Sequence, residues 1–171
     1  MVALGIISDV MPMRDFETKR IIEKGLTQIT NPFFRKMAEK QAFKLGDNLT
    51  PFGVAFYITP FINATVRVGT MVEKTLLFES MLTFKAYDLI PSTKRGEAGR
   101  METRVEQACR TCGNIKNHQA AMRDEGYEII EEVIQEKGLL ENKILIVKLK
   151  KSWDIPKPIV GLIANQLMDK Y

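Results

Sequence analysis

Residues 50–69 read TPFGVAFYITPFINATVRVG, and this stretch decides how the chain is expected to fold. It opens with Thr50, a helix-capping residue type, followed by Pro51, which suits the first turn of a helix. Pro60 lies in the middle of the stretch and predicts a kink or an end there, because proline lacks the backbone N–H that a continuous helix needs. The sequence therefore predicts helical structure on both sides of Pro60.

Further helices are predicted before and after this stretch. Hydrophobic spacing favours helices over residues 16–29 and 73–86. Asn31-Pro32 repeats the start signal and predicts a helix with an apolar side, formed by Phe33, Phe34, Met37 and Phe43.

A long polar helix is predicted from about Glu102 to Lys137, closed by Gly138, the residue type that commonly ends helices. Its apolar stripe is thin, which is typical of a helix that connects two bodies.

Two apolar runs favour β-strands. Ala3–Ile7 is a continuous run without alternation, and Lys143–Leu149 reads KILIVKL. A helix over residues 159–171 follows the second run. The sequence thus predicts an α/β, helix-rich fold.

Composition agrees with a soluble protein. The chain has 171 residues, 45% hydrophobic and 27% charged, with a net charge of +4. This length suits one ordinary domain or two small parts joined by a connector. No apolar run reaches the roughly 18–20 residues of a membrane span, and the short apolar start lacks the basic leader of a signal peptide. We therefore expect a cytoplasmic protein with no membrane association.

Metal-binding cysteine chemistry is not expected. Cys109 and Cys112 form the only cysteine pair and His118 is the only histidine, whereas a structural zinc site needs four ligands. We expect two reduced thiols. Basic residues cluster from Lys94 to Arg110 with acidic residues between them, so both a nucleic-acid surface and a solvated face remain open.

Three segments carry a family resemblance: ALGIISDVMPM at 3–13, TPFINATVRVG at 59–69 and KPIVGLIANQLMDKY at 157–171. In this order, they resemble RecJ-type single-strand-specific exonucleases of the DHH phosphoesterase superfamily, and more loosely phage-borne and prophage-borne members. The resemblance implies that residues 1–90 are the end of a DHH catalytic domain and 91–138 a loop and long connecting helix. Residues 139–171 would begin the DHH-associated C-terminal domain, so we expect a part of a larger enzyme.

The resemblance also implies chemistry. RecJ-like enzymes hydrolyse phosphodiester bonds of single-stranded DNA, 5′ to 3′, with two divalent metals, Mn²⁺ or Mg²⁺, which activate water and neutralise charge. Asp9 is the implied metal ligand; the alternative is that it only caps a turn. The other ligand motifs of the family fall outside these 171 residues. We therefore expect no complete active site in this chain.

The second segment implies a nucleic-acid contact. Asn63 and Arg67 lie four residues apart and share a face if the segment is helical. Arginine grips phosphate with paired hydrogen bonds; the alternative is an ion pair between Arg67 and Glu73. The family pattern has an arginine where this chain has Phe61, which removes one possible phosphate contact. Phe56, Tyr57 and Phe61 have the aromatic rings that stack on bases, but at helical spacing we expect them in the core.

Two other functions remain open from the sequence. One is a different DHH-type phosphodiesterase, acting on oligonucleotides or cyclic dinucleotides; the lack of an INATVRVG-like segment in those enzymes argues against it. The other is a non-catalytic module that binds DNA or an unidentified protein partner.

Overall fold

The computed structural model describes residues 1–46, 48–97 and 99–171. Most of these residues are helical. Up to Met81, the described residues form seven helices, in the order α1 (Val2–Ser8), α2 (Phe16–Thr27), α3 (Pro32–Lys40), α4 (Ala42–Leu45), α5 (Pro51–Tyr57), α6 (Thr59–Val68) and α7 (Met71–Met81).

A two-stranded antiparallel sheet follows, formed by β1 (Leu89–Pro91) and β2 (Met101–Thr103). The long helix α8 (Arg104–Glu136) comes next, and then two short 3₁₀ turns (Leu139–Glu141 and Lys151–Trp153) and α9 (Lys157–Lys170). No helix of the described part is long and apolar enough to cross a membrane.

The predicted helix starts are confirmed. The Asn31 side chain accepts a hydrogen bond from the backbone N–H of Phe34 at 3.2 Å, and the Thr50 hydroxyl accepts one from Gly53 at 3.0 Å. The break before Pro60 is also confirmed, since α5 ends at Tyr57 and α6 begins at Thr59. Local capping chemistry is thus sufficient to place these helices.

The long helix is found where it was predicted, over 33 residues. Gly138 follows it in the left-handed conformation, with φ of 58°, as a helix-ending glycine should. The chain divides into two compact units, Met1–Lys116 and Asn117–Tyr171, and the boundary falls within α8.

The prediction of a strand over Ala3–Ile7 is wrong. The segment forms α1, and its residues Ala3, Leu4 and Ile7 are buried within the first unit. A short apolar run fits a buried helix and a buried strand equally well. A strand must pair with a neighbouring strand, and the described residues place none beside this segment. Helix formation satisfies its backbone groups locally instead.

The predicted strand over Lys143–Leu149 is also absent, and this segment has no regular secondary structure. Leu145, Val147 and Leu149 line a cleft of about 650 Å³ in the second unit, together with residues of α9. The reason is the same, because β1 and β2 pair only with each other and the described residues place no strand beside this segment. The α/β part of the predicted fold class is therefore limited to β1 and β2, whereas the helix-rich part is confirmed.

The core of the first unit is built from α1 to α8. Its largest fully buried side chains include Phe33, Phe34 and Met37, as the sequence predicted for α3. Phe43 was predicted on the same apolar side but is 100% exposed. It lies on α4, a separate short helix, because the chain turns at Gln41 and the helical register of α3 is lost.

Close packing of α1 on α2 depends on Gly25. A Cβ atom at this position would lie 2.4 Å from Cβ of Ala3, which is closer than two non-bonded carbon atoms can approach. A Cβ at Gly5, within α1, would meet nothing within 4 Å. The two glycines therefore give a matched test of whether residues 2–8 pack as a helix.

We expect Gly25→Ala to lower the free energy of unfolding by about 1–3 kcal/mol through overpacking. We expect Gly5→Ala to raise it by about 0.5–1 kcal/mol, because alanine is the better helix former. Urea unfolding of both variants measures the difference. Equal effects from the two substitutions would contradict the packing of α1 on α2.

Candidate nucleic-acid interface

Asp9 lies at the C-terminal end of α1 and is exposed to solvent. Its backbone N–H donates to the carbonyl oxygen of Gly5 at 3.0 Å, so the backbone of Asp9 ends the helix. Within the described residues its carboxylate forms no salt bridge or hydrogen bond. A negative charge at a helix C-terminus is electrostatically unfavourable. The Asp9 side chain thus does not stabilise the end of α1, and it is free to contact another group.

The turn after Asp9 is strained. The N–H groups of Val10 and Met11 donate to the carbonyl oxygens of Ile7 and Ile6, at 3.2 and 3.1 Å, which closes α1 in a Schellman arrangement. Val10 occupies the left-handed position, with φ of 53°. Glycine is usual there, and a residue with a Cβ costs about 1–2 kcal/mol. Strain of this kind is concentrated at functional sites in proteins.

A hydrogen bond joins this turn to α6. The hydroxyl oxygens of Ser8 and Thr59 lie 3.1 Å apart. Ser8 directly precedes Asp9, and Thr59 is the first residue of α6. The structure therefore places the predicted metal ligand beside the start of the helix that contains the predicted nucleic-acid residues.

Asn63 and Arg67 both lie on α6, as the sequence predicted. Thr59, Asn63 and Arg67 follow one another at intervals of four, so they form a stripe along one side of the helix. Thr59 is buried, Asn63 is half-buried and Arg67 is exposed. With a rise of about 1.5 Å per residue, the stripe runs about 12 Å from the Ser8 contact to Arg67.

The Arg67 guanidinium is not held by Glu73, the alternative partner weighed above. Glu73 forms a capping box with Thr70, whose backbone N–H and hydroxyl donate to the Glu73 carboxylate at 2.7 and 2.9 Å. Among the described residues Arg67 takes part in no salt bridge. Its exposed guanidinium is thus available to an anion.

Two arginines of the basic stretch from Lys94 to Arg110 serve the fold instead. Arg104 forms salt bridges to Glu79 at 2.6 Å and to Asp88 at 3.3 Å. Arg110 pairs with Glu102. A hydrogen bond from Lys85, assisted by Arg104, lowers the pKa of Glu79, which keeps this carboxylate charged. For these two arginines the structure favours an internal ion-pair role over a nucleic-acid surface.

Both cysteines are buried on α8 and free, as predicted. Burial, and then the neighbouring Cys112 thiol, raise the pKa of Cys109 to about 12. Burial also raises the pKa of Cys112. Thiols are reactive as thiolates, so these two side chains behave as small apolar core residues.

No group of three or more histidine, cysteine, aspartate or glutamate side chains is arranged to hold a metal ion within the described residues. His118, the only histidine of the sequence, is exposed on α8. Asp9 stands alone, and a pair of divalent metals needs several converging ligands. The described residues by themselves therefore do not fit the two-metal centre that the family resemblance implies.

Comparison with known proteins gives two relatives along the whole chain. One is a Bacillus subtilis (strain 168) protein named as the SPbeta prophage-derived single-strand DNA-specific exonuclease YorK. The other, from Bacillus phage SPbeta, carries the name single-strand DNA-specific exonuclease yorK. Each is 34% identical to the chain over an alignment of 172 positions, which covers 100% of this chain. The chain is a relative of one segment of these proteins. Both names mark the exonuclease activity as provisional.

The match confirms the predicted resemblance to a prophage-type single-strand DNA-specific exonuclease. The chain spans 29% of the length of these relatives. No family model and no solved structure matches it. Membership of the DHH superfamily, the domain boundaries and the roles of Asp9, Asn63 and Arg67 remain predictions from the three sequence segments.

Proposed function

We propose that these 171 residues are the strand-binding part of a RecJ-like, metal-dependent exonuclease of the DHH phosphoesterase superfamily. The whole enzyme would hydrolyse phosphodiester bonds of single-stranded DNA with 5′ to 3′ polarity. The observation that carries this proposal is the match along the entire chain to proteins named as single-strand DNA-specific exonucleases.

The stripe on α6 would bind the DNA backbone. Arg67 presents a guanidinium that can donate two parallel hydrogen bonds to a phosphate, and Asn63 can reach sugar or phosphate oxygens. Contacts of this type hold a strand in register without reading its sequence. That property suits an exonuclease, which must advance along a strand of any sequence.

Asp9 would contribute one oxygen ligand to the metal pair. Carboxylate oxygens suit Mn²⁺ and Mg²⁺. The remaining ligands would come from other segments of the longer enzyme. In such centres the metals activate water and neutralise the phosphoryl oxygens. The Ser8–Thr59 hydrogen bond supports this arrangement, because it keeps Asp9 next to the helix that would hold the scissile strand.

The alternative of a non-catalytic DNA-binding module has one observation in its favour, the lack of a ligand cluster among the described residues. A chimera separates the two functions. In this chimera the 171 residues replace the matching segment of the Bacillus subtilis relative. We expect the chain alone to show no Mn²⁺-dependent digestion of labelled single-stranded DNA, and the chimera to digest single but not double strands.

The relative itself and the relative without its matching segment serve as positive and negative controls. A folded but inactive chimera beside an active relative would favour the non-catalytic module. Digestion by the chain alone would show that its own residues complete an active site, against the proposal.

A further inference from the structure

Helix α5 exposes two stacked phenylalanine rings. Phe52 and Phe56 are 63% and 60% exposed, and their ring centroids lie 4.3 Å apart with planes inclined by 29°. They are four residues apart, so they share one side of the helix. The core-facing side of α5 is formed by Gly53 and Val54. The expectation that Phe56 lies in the core is therefore wrong, whereas Phe61 does pack against the core.

Isolated exposed apolar residues are common, but a stacked pair forms a continuous aromatic surface, and such surfaces often mark interaction sites. Neither ring contacts the core to a large extent, so neither is needed to fill it. We call this surface, made of Phe52 and Phe56, the aromatic platform.

The sequence around the aromatic platform is basic, and its acidic residues between positions 32 and 72 are Glu39 and Asp47. The chain has no acidic residue from 48 to 72, while the segment 32–45 has four basic residues and one acidic residue. Lys44 Nζ lies 5.9 Å from the centroid of the Tyr57 ring, the residue directly after Phe56. Helix α4 packs closely on α5, because a Cβ at Gly53 would lie 2.8 Å from a methyl group of Leu45. The excess of basic residues in this part of the sequence favours a polyanionic partner.

We propose that the aromatic platform stacks on the bases of single-stranded nucleic acid. This inference rests on the proposed function and adds a second kind of contact to it. Every base has a flat π face, so aromatic side chains bind bases without sequence preference. In a duplex those faces are already covered by neighbouring base pairs. Phe52 and Phe56 would thus select single strands over double strands, which a phosphate contact at Arg67 alone does not.

The order of the helices along the chain agrees with two separate kinds of contact, base stacking and phosphate binding. Only Ile58 separates α5 from α6, so base-stacking residues and the phosphate-binding residue Arg67 belong to consecutive helices. The platform itself contains no charged side chain, and removing it should leave the ionic part of binding intact.

The test uses the 171-residue chain and two fluorescent ligands, an oligothymidylate and an abasic oligonucleotide of the same length. Phe52→Leu combined with Phe56→Leu removes both rings and keeps apolar bulk. We expect this double variant to bind oligothymidylate about tenfold more weakly, and to bind the abasic strand as the unchanged chain does. The salt dependence should be the same for both proteins, because no charge is altered.

The matched control combines Phe78→Leu with Phe84→Leu, which are 63% and 77% exposed and lie outside α5. It should leave both affinities unchanged. Circular dichroism and sedimentation velocity on every variant report folding and self-association.

Four results would overturn the inference. The first is an unchanged oligothymidylate affinity in the double variant, and the second is equal binding of abasic and thymidylate strands by the unchanged chain. The third is an equal loss of oligothymidylate affinity in the Phe78 and Phe84 control. The fourth is a change in self-association of the double variant without a change in its DNA affinity. The last result would make the platform an interface between copies. If one of these four results is obtained while Arg67 variants still lose affinity for both ligands, the platform fails and the proposed function stands. If the unchanged chain binds neither ligand, both fail.

Discussion

Asp9→Asn is expected to lower the Mn²⁺-dependent rate of the chimera by about a hundredfold or more. A metal pair contributes several kcal/mol to transition-state stabilisation, and about 1.4 kcal/mol corresponds to a tenfold change in rate. Asparagine keeps the size of the side chain but removes the charged oxygen ligand. The rate of release of single nucleotides from labelled single-stranded DNA, followed over a range of Mn²⁺ concentrations, measures the loss.

A folding defect is not expected to explain this loss. Asp9 is exposed and lies at the C-terminal end of α1, where removal of a negative charge should be neutral or slightly stabilising. Asp15→Asn is the matched control, because Asp15 is also exposed and its side chain makes no capping hydrogen bond. Comparable rates for the Asp9 and Asp15 variants would show that Asp9 is no metal ligand.

Phe33→Ala is expected to lower the free energy of unfolding of the chain by about 3–5 kcal/mol. Phe33 is fully buried in the core of the first unit, and its removal both exposes apolar partners and leaves a cavity. Domains are stable by only about 5–15 kcal/mol, so this change removes a large part of the total.

Phe43→Ala, at a fully exposed ring of the same size, should change the free energy by less than about 0.5 kcal/mol. Urea unfolding followed by circular dichroism compares the two variants. Similar losses of unfolding free energy in the Phe33 and Phe43 variants would mean that α4 continues the apolar side of α3, as predicted from the sequence. This result would contradict the exposed position of Phe43 in the structure.

The parts of the fold that the sequence predicts correctly depend on local chemistry. Asn31 and Thr50 cap helices through hydrogen bonds to residues three positions later, and Gly138 ends α8 through its own backbone conformation. Such interactions need no distant partner, so a short window of sequence contains the information.

The errors concern non-local pairing and burial. The apolar runs at 3–7 and 143–149 would be strands only beside other strands, and among the described residues β1 and β2 pair only with each other. Phe43 and Phe56 are apolar residues at helical spacing, yet both are exposed. Phe43 lies on the separate short helix α4, and the buried side of α5 is formed by Gly53 and Val54 and not by Phe56. Periodicity indicates which residues share a side, but it does not show which side is covered.

For the candidate site, the sequence identified Asp9, Asn63 and Arg67 through the family resemblance, and helical spacing predicted that the last two share a side. It did not predict the hydrogen bond between Ser8 and Thr59, which brings Asp9 to the start of α6. These residues are 51 positions apart, and serine and threonine are too common to indicate a specific pair. It also did not show that Phe52 joins Phe56 on an exposed surface.

The most direct test of the strand-binding role is the salt dependence of oligothymidylate binding by the 171-residue chain and its Arg67→Ala, Arg67→Lys and Arg20→Ala variants. Arg20 is an exposed arginine of α2 and serves as the charge-matched control. We expect Arg67→Ala to weaken binding by about 1.5–3 kcal/mol and to reduce the salt slope by about 0.7, the value for one single-strand phosphate.

Arg67→Lys should be a poor substitute, because lysine lacks the planar two-pronged geometry, and Arg20→Ala should change little. The loss at Arg67 should be nearly the same for every base sequence, since phosphates carry no base information. An affinity and a salt slope that are unchanged in both Arg67 variants would contradict the account.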